Sequence, residues 1–199
     1  FHVVTHDVRG AGASATPPDR EGYRIENLAA DLEAVIDATS PDRPAHVVGH
    51  DWGSIQAWEA VTEAHIARRI ASFTSISGPC LDHVARWLRE GIEARAIGRL
   101  LGQARRSWYV GLFQIPRLPE AIWRAGLAGA WPRILARTEG VESASPVRAE
   151  DGVHGLELYR ANVPRRLRAP RERSTNVPVQ VIIPLGDRFV TPALARSAA

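Results

Sequence analysis

The chain has 199 residues, 45% hydrophobic and 24% charged, with a formal net charge of +3. That balance belongs to a globular chain long enough to bury a core, and it excludes disordered and fibrous classes. No apolar run approaches the roughly 20 residues that cross a bilayer, and no signal peptide opens the chain, so a soluble, cytoplasmic protein without a membrane span is expected.

All 25 basic residues are Arg, and there is no Met. The first feature reads as a GC-rich codon bias, the second as a chain that starts within its gene or has been processed. Cys80 is the sole cysteine, which excludes an internal disulfide and a thiolate cluster. The His residues show no ligand spacing, so no metal is expected. No Gly-x-x-x-Gly-x-Gly loop occurs, so no nicotinamide or other cofactor is expected. Arginines gather at Arg165, Arg166, Arg168, Arg171 and Arg173. With no aromatic residues interleaved to stack bases, they read as a solvated surface segment, and no nucleic-acid partner is expected.

In chain order, Phe1–Thr5 is apolar and β-branched and reads as a strand. It runs into a loop, Asp7-Val8-Arg9-Gly10-Ala11-Gly12-Ala13-Ser14, followed by Pro17-Pro18. Ile25, Leu28, Leu32, Val35 and Ile36 recur at helical spacing. Glu26 and Asp31 lie early in that helix, where negative charge suits its dipole. Ser40-Pro41 ends it. Ala45–Val48 reads as a strand, Gly49–Gly53 as a tight turn, and Ser54–Ala64 as a helix with Ile55, Trp58 and Val61 on one side. Ile70–Ile76 reads as a strand stopped by Gly78-Pro79. This alternation predicts an α/β fold, a parallel sheet with crossover helices.

From Leu81 to about Arg171 no strand pattern occurs, with Pro116, Pro119, Pro132, Pro146 and Pro164 as breaks. The segment is too long for a loop and predicts a helical insertion. Val177–Ile183 then returns to a strand, before Pro184-Leu185-Gly186-Asp187. The expected division is a core over 1–79, a helical insertion over 80–173 and a continuation of the core over 174–199.

The informative segment is Val47-Val48-Gly49-His50-Asp51-Trp52-Gly53-Ser54. A strand enters small-x-acid-x-small, and a helix follows. Such a turn strains its middle residue, and small neighbours relieve the crowding. The apex is delivered to the carboxyl end of the sheet and to a helix N-terminus, where N–H groups such as that of Trp52 can hold an oxyanion. Asp51 is also a good N-cap type; the buried-type strand before it and the amphipathic helix after it favour a nucleophile. A carboxylate attacks saturated carbon and forms an ester to the protein, which water then cleaves. The substrate should be an epoxide or a carbon–halogen bond.

The whole segment resembles the nucleophile elbow of epoxide hydrolases and haloalkane dehalogenases, as does Asp7-x-Arg9-Gly10-x-Gly12-x-Ser14 the loop ahead of it. The resemblance implies a partial α/β-hydrolase fold in which 80–173 is a lid. It also implies that Asp187, in Gly186-Asp187-Arg188-Phe189, is the acid that orients a catalytic His. Tyr109, shortly before Phe113-Gln114-Ile115-Pro116, and Tyr159, in Tyr159-Arg160-Ala161-Asn162, resemble the paired lid tyrosines of epoxide hydrolases. A phenol, with an ordinary pKa near 10, can donate to a developing alkoxide, whereas a halide needs no proton.

The expected partners are therefore a small apolar epoxide and water, with dehalogenation as the alternative that the Trp52 indole would serve. A narrower resemblance, carried by Ala71–Pro79 with Asp82-His83, is to the hydrolase half of actinobacterial proteins that join such a domain to a short-chain dehydrogenase. The same resemblance implies a His-Gly-x-Pro loop upstream, and a last strand, catalytic His and closing helix downstream. None of these is in the 199 residues, so the chain is expected to be incomplete, stalling at the ester or acting as a non-catalytic remnant.

Overall fold

The computed structural model describes residues 2–140 and 147–198. Its centre is a parallel sheet of three strands, β1 (Ala45–His50), β2 (Ile70–Ile76) and β3 (Val179–Ile182), in the order β1-β2-β3. Before β1 comes helix α1 (Ile25–Thr39), and between β1 and β2 come α2 (Trp52–Thr62) and the single turn α3 (Ala64–Ala67). Side chains alternate across a strand. Val47, Val179 and Val181 therefore face the α1–α2 layer, while Val48 is turned away and 70% exposed. The core closes around Phe73, with Ala29, Leu32 and Ile36 of α1 and Ala57, Trp58 and Val61 of α2. Burying such side chains contributes roughly 1.5–3 kcal/mol each.

Among the described residues, the helices between β2 and β3 include α4 (Leu81–Glu93), α5 (Ile97–Arg106), α6 (Trp108–Phe113), α7 (Leu118–Ile122), α8 (Ala128–Glu139) and α9 (Ala149–Arg168). Trp123–Leu127 joins α7 to α8, with Gly126 at φ 141 forming the kink. A last short helix, α10 (Pro192–Ala195), follows β3.

Four expectations are corrected. Residues 2–5 form no strand, because no strand among the described residues completes their ladder; Val3 and Val4 are exposed instead. Pro132 and Pro164 lie inside α8 and α9 and break neither. In α9 the tertiary bonds of Asn162, Arg165 and Arg166 on either side of Pro164 outweigh its missing N–H. Pro146 lies outside the described residues.

The turn after β1 is tighter than Gly49–Gly53, since β1 ends at His50 and α2 begins at Trp52. The arginine cluster, lastly, is a solvated face only in part: Arg168 and Arg171 are exposed. Arg166 and Arg173 are buried and pair with Glu59 and Asp82, themselves buried, because each carboxylate lost to water is replaced by a guanidinium bond. Glu26 and Asp31, likewise, serve as partners of Arg165, Arg166 and Arg9.

Candidate functional site

Asp51 alone makes the turn from β1 into α2. Its backbone sits at φ 50, ψ −121, a conformation that favours glycine, and its side chain makes no capping bond to α2. Holding such a conformation costs of order 1–3 kcal/mol and requires anchoring on both sides. The anchors are backbone bonds: Asp51 N–H donates to Ile76 O at 3.1 Å, and Asp51 O accepts from Ser54 and Ile55 N–H at 3.0 and 2.9 Å. Ser54 Oγ, fully buried, reaches Gly78 O at 2.6 Å and Ser75 Oγ at 2.8 Å.

Which glycines the turn needs differs from the sequence reading. A Cβ on Gly49 would lie 2.6 Å from Gly53 O, and one on Gly78 would collide with Asp51 O and Ser54 Cβ. A Cβ on Gly53 would meet nothing. The sequence marks Gly78 only as a strand stop; its proximity to the elbow comes from β1–β2 pairing, which aligns His50 with Ile76.

Asp51 as a residue is exposed, yet surrounding protein crowds its carboxyl group. That desolvation raises its pKa above the ordinary carboxylate value. His50 and the Trp52 backbone N–H pull it down, and the charge of Asp187 pushes it up.

Helices α6 and α9 bring Tyr109 and Tyr159 together at 5.9 Å between ring centroids. Burial, then the Asp51 charge, pushes Tyr109 up to about 12. The same two causes raise Tyr159 further. Both phenols therefore stay protonated at neutral pH. The Trp52 indole N–H eases the rise of Tyr159, although its Nε1 is buried without a hydrogen bond of ordinary geometry.

Asp187 lies in the turn after β3. Its Oδ1 accepts from the N–H groups of Phe189 and Val190 at 2.7 and 2.9 Å, and its carbonyl accepts from Arg106. Its charge reaches both Asp51 and Tyr109. All five residues singled out in the sequence, Asp51, Trp52, Tyr109, Tyr159 and Asp187, thus fall in one neighbourhood. His154 lies apart, bonded to Gly10 O at 2.7 Å.

Two residues of the Tyr159-Arg160-Ala161-Asn162 motif, quoted in the sequence only as context for the tyrosine, support the site. Arg160, beside Tyr159, bonds to Phe113 O and Ile115 O at 2.7 and 2.9 Å and pairs with Glu120 and Glu157, so it ties α9 to the end of α6. Asn162, fully buried, accepts from Ile25 N–H and donates to Tyr23 O, so it docks α9 on the start of α1. A cavity of about 580 Å³, lined in part by Asp7, Arg9, Pro17 and Asp31, lies around the first loop and α1, away from Asp51. No cluster of metal-binding side chains occurs among the described residues, and no described helix is long and apolar enough to cross a membrane.

Residues 1–119 match the family model for the alpha/beta hydrolase fold. The chain is 34% identical over 203 aligned residues to "Probable oxidoreductase EphD" of Mycobacterium tuberculosis, an alignment covering 96% of this chain and 34% of that protein. It is 31% identical over 158 residues to "Epoxide hydrolase A" of the same organism, covering 78% of this chain and 46% of that one. The chain therefore spans between about a third and a half of the length of these relatives.

Among solved structures, an epoxide hydrolase of Bacillus megaterium in complex with its diol product superposes with a TM-score of 0.71 at 22% identity, over 94% of this chain and 68% of the other. An epoxide hydrolase of Vigna radiata superposes at 0.65 and 22%, over 96% and 66%. Likeness at this identity concerns the fold. With more than half its length matched by the family model and its sheet parallel, the chain belongs to the α/β-hydrolase fold family.

Proposed function

We propose that the chain carries the alkylation machinery of an epoxide hydrolase, with Asp51 as nucleophile and Tyr109 and Tyr159 as proton donors. The observation that carries this reading is the ring chain Trp52–Tyr159–Tyr109, centroids 4.9 and 5.9 Å apart, which packs both phenols beside the residue that follows Asp51. In this scheme a carboxylate oxygen attacks an oxirane carbon and the ring C–O bond breaks. The released oxygen takes a proton from a tyrosine, leaving a hydroxyalkyl ester on Asp51 and a tyrosinate. Water then adds to the ester carbonyl, giving the diol, the free carboxylate and a reprotonated phenol.

Ester formation neutralises Asp51. That removes one cause of the raised phenol pKa values, so the donors become more acidic as the alkoxide forms. Asp187 would orient the base for the water step; its Oδ1 is already held by backbone N–H groups. The α4–α9 helices act as the lid over Asp51, with 1–79 and 174–199 as the core beneath. The names of Epoxide hydrolase A and of the solved epoxide hydrolases support the same substrate class. The aromatic wall of Trp52, Tyr109, Phe113, Tyr159 and Phe189 suits an apolar epoxide.

The test is intact and peptide mass spectrometry of the 199-residue chain after incubation with styrene oxide. The expected result is one hydroxyalkyl adduct on Asp51, absent in Asp51→Asn and slower by about 10–100-fold in Tyr109→Phe and Tyr159→Phe. An adduct that persists in Asp51→Asn, or none in the parent, overturns the reading. The Trp52 Nε1, without a full hydrogen bond, favours a halide as a second leaving group. Incubation with a bromoalkane separates the two, because alkylation without tyrosine dependence points to dehalogenation.

A further inference from the structure

We propose that Gln103 of α5 is a positioning residue that sets Tyr109 against the Asp187 turn. The inference rests on the donor reading of Tyr109 and extends it to a residue outside the reacting groups.

Gln103 is 5% exposed. Its Nε2 donates to Ser107 Oγ and to Phe189 O, both at 2.8 Å, and its Oε1 accepts from Thr191 N–H at 3.0 Å. Ser107 is the residue that leads into α6, and Tyr109 stands two positions later. Phe189 and Thr191 belong to the turn that Asp187 opens. One amide therefore bonds a carbonyl and an N–H two residues apart on that turn, as a neighbouring strand would, and also fixes the base of the tyrosine's helix.

The circuit closes through the rings, since Phe189 meets Tyr109 edge-on at 5.5 Å. Arg106, three residues further along α5, donates to Asp187 O. A buried amide is costly unless its hydrogen bonds are made, and an apolar side chain of similar volume would avoid that cost. Here every bond of the amide goes to the two segments that carry Tyr109 and Asp187. The amide is also neutral, so it fixes position without altering the charge around Asp51. A misplacement near 1 Å at a reacting group can slow a reaction about 100-fold.

The test compares the parent chain with Gln103→Leu, which keeps the volume and loses all three bonds. Gln103→Glu keeps the acceptor for Thr191 and loses the donor to Phe189, and it replaces the Leu variant should that one fail to fold. Two readouts are taken: nuclear Overhauser contacts between the Tyr109 and Phe189 rings, and the rate of Asp51 ester formation against styrene oxide concentration. The expected result is weakened ring contacts and an ester-forming rate at least about tenfold lower at saturation, with the half-saturating concentration little changed. A variant with a lower melting temperature, but ring contacts and saturated rate within twofold of the parent, overturns the proposal and makes Gln103 merely structural. If the parent forms no ester, the nucleophile reading fails, and the ring contacts alone decide whether Gln103 positions Tyr109.

Discussion

The Trp52 indole meets the Tyr159 ring edge-on, with centroids 4.9 Å apart and planes at 80°. The residue after the elbow thus touches the phenol delivered by the last helix of the insertion. The contact continues through Phe113 at 5.0 Å from Tyr159, and through Tyr109 to Phe189. Edge-to-face pairs contribute about 0.5–1.5 kcal/mol each beyond their buried area. This aromatic chain links the residue after the elbow to both phenols and to the turn after β3.

The glycines around the elbow should separate sharply. Gly49→Ala would place its methyl 2.6 Å from Gly53 O, and Gly78→Ala would drive a methyl into Asp51 O. Both obstacles are backbone, so the elbow itself must shift, and each variant should lose at least about 2 kcal/mol in urea unfolding. Gly53 lies in the first turn of α2 with nothing near its missing Cβ. Gly53→Ala should be neutral or stabilising by up to about 1 kcal/mol. Equal losses at Gly53 and Gly49 would contradict the geometry.

Asp51 should be a site where stability was given up. Its folded pKa is raised, so between the unfolded and folded values the unfolded chain has already lost its proton while the folded one keeps it. Stability from this group is present below the unfolded value and is lost as pH rises through the folded one. At neutral pH the crowded charge and the φ of 50 both act against folding. Asp51→Gly relieves both and should gain about 1–3 kcal/mol at pH 7, shrinking at low pH where the parent carboxyl is protonated. Thermal melts at pH 7 and at pH 3 check it; a gain independent of pH would leave backbone strain as the only term.

The sheet was legible because its strands are short apolar runs bounded by glycine and proline, and β2 falls at Ile70–Ile76 as read. The elbow was legible because its chemistry is local: strand, acid and helix sit within ten residues of sequence. What escaped is non-local. Gly78 matters through β-pairing, Gln103 through a turn beyond α9, and Arg166 and Arg173 through acids on α2 and α4. An arginine-rich segment has the same composition whether its partners are water or buried carboxylates. Residues 2–5 misled for a related reason, since strand propensity needs a neighbouring strand to be realised.

The phenols offer a direct probe of the Asp51 charge. Tyr109 is raised from 10 in the unfolded chain to about 12, so its contribution to stability is present below pH 10 and lost as pH rises through 12. Asp51→Asn removes the charge that acts on both Tyr109 and Tyr159. Tyrosinate absorbance should then begin to rise at lower pH than in the parent, while Tyr23, whose rise comes from burial and Glu157, should titrate as before. Superimposable curves for parent and variant would mean that the phenols do not sense Asp51.

The buried arginines should be far more costly to remove than the exposed one beside them. Arg166, 2% exposed, bonds to Asp82, Glu59 and Glu26 at 3.0, 2.8 and 3.0 Å, and Arg173 bonds to Glu59 and Asp82 at 2.7 and 2.8 Å. Burial opposes the Arg173 charge, and the carboxylates of Asp82, Glu59 and Glu63 outweigh it. Arg166→Met leaves two buried carboxylates, Glu59 and Asp82, to share the one buried guanidinium of Arg173 and should cost about 3–5 kcal/mol. Arg165→Ala loses a half-exposed pair with Glu26 and should cost less than about 1 kcal/mol. Burial would raise the Glu26 carboxyl, but backbone and arginine bonds hold it below 4.5, so its contribution is present above pH 4.5 and lost as pH falls through that lower value. Urea titrations at pH 7 and at pH 3 measure these costs. Because α9 carries Tyr159 and α2 follows Asp51, Arg166→Met should also loosen the Trp52–Tyr159 ring contact, and an unchanged contact would show that the aromatic wall holds α9 without the ion cluster.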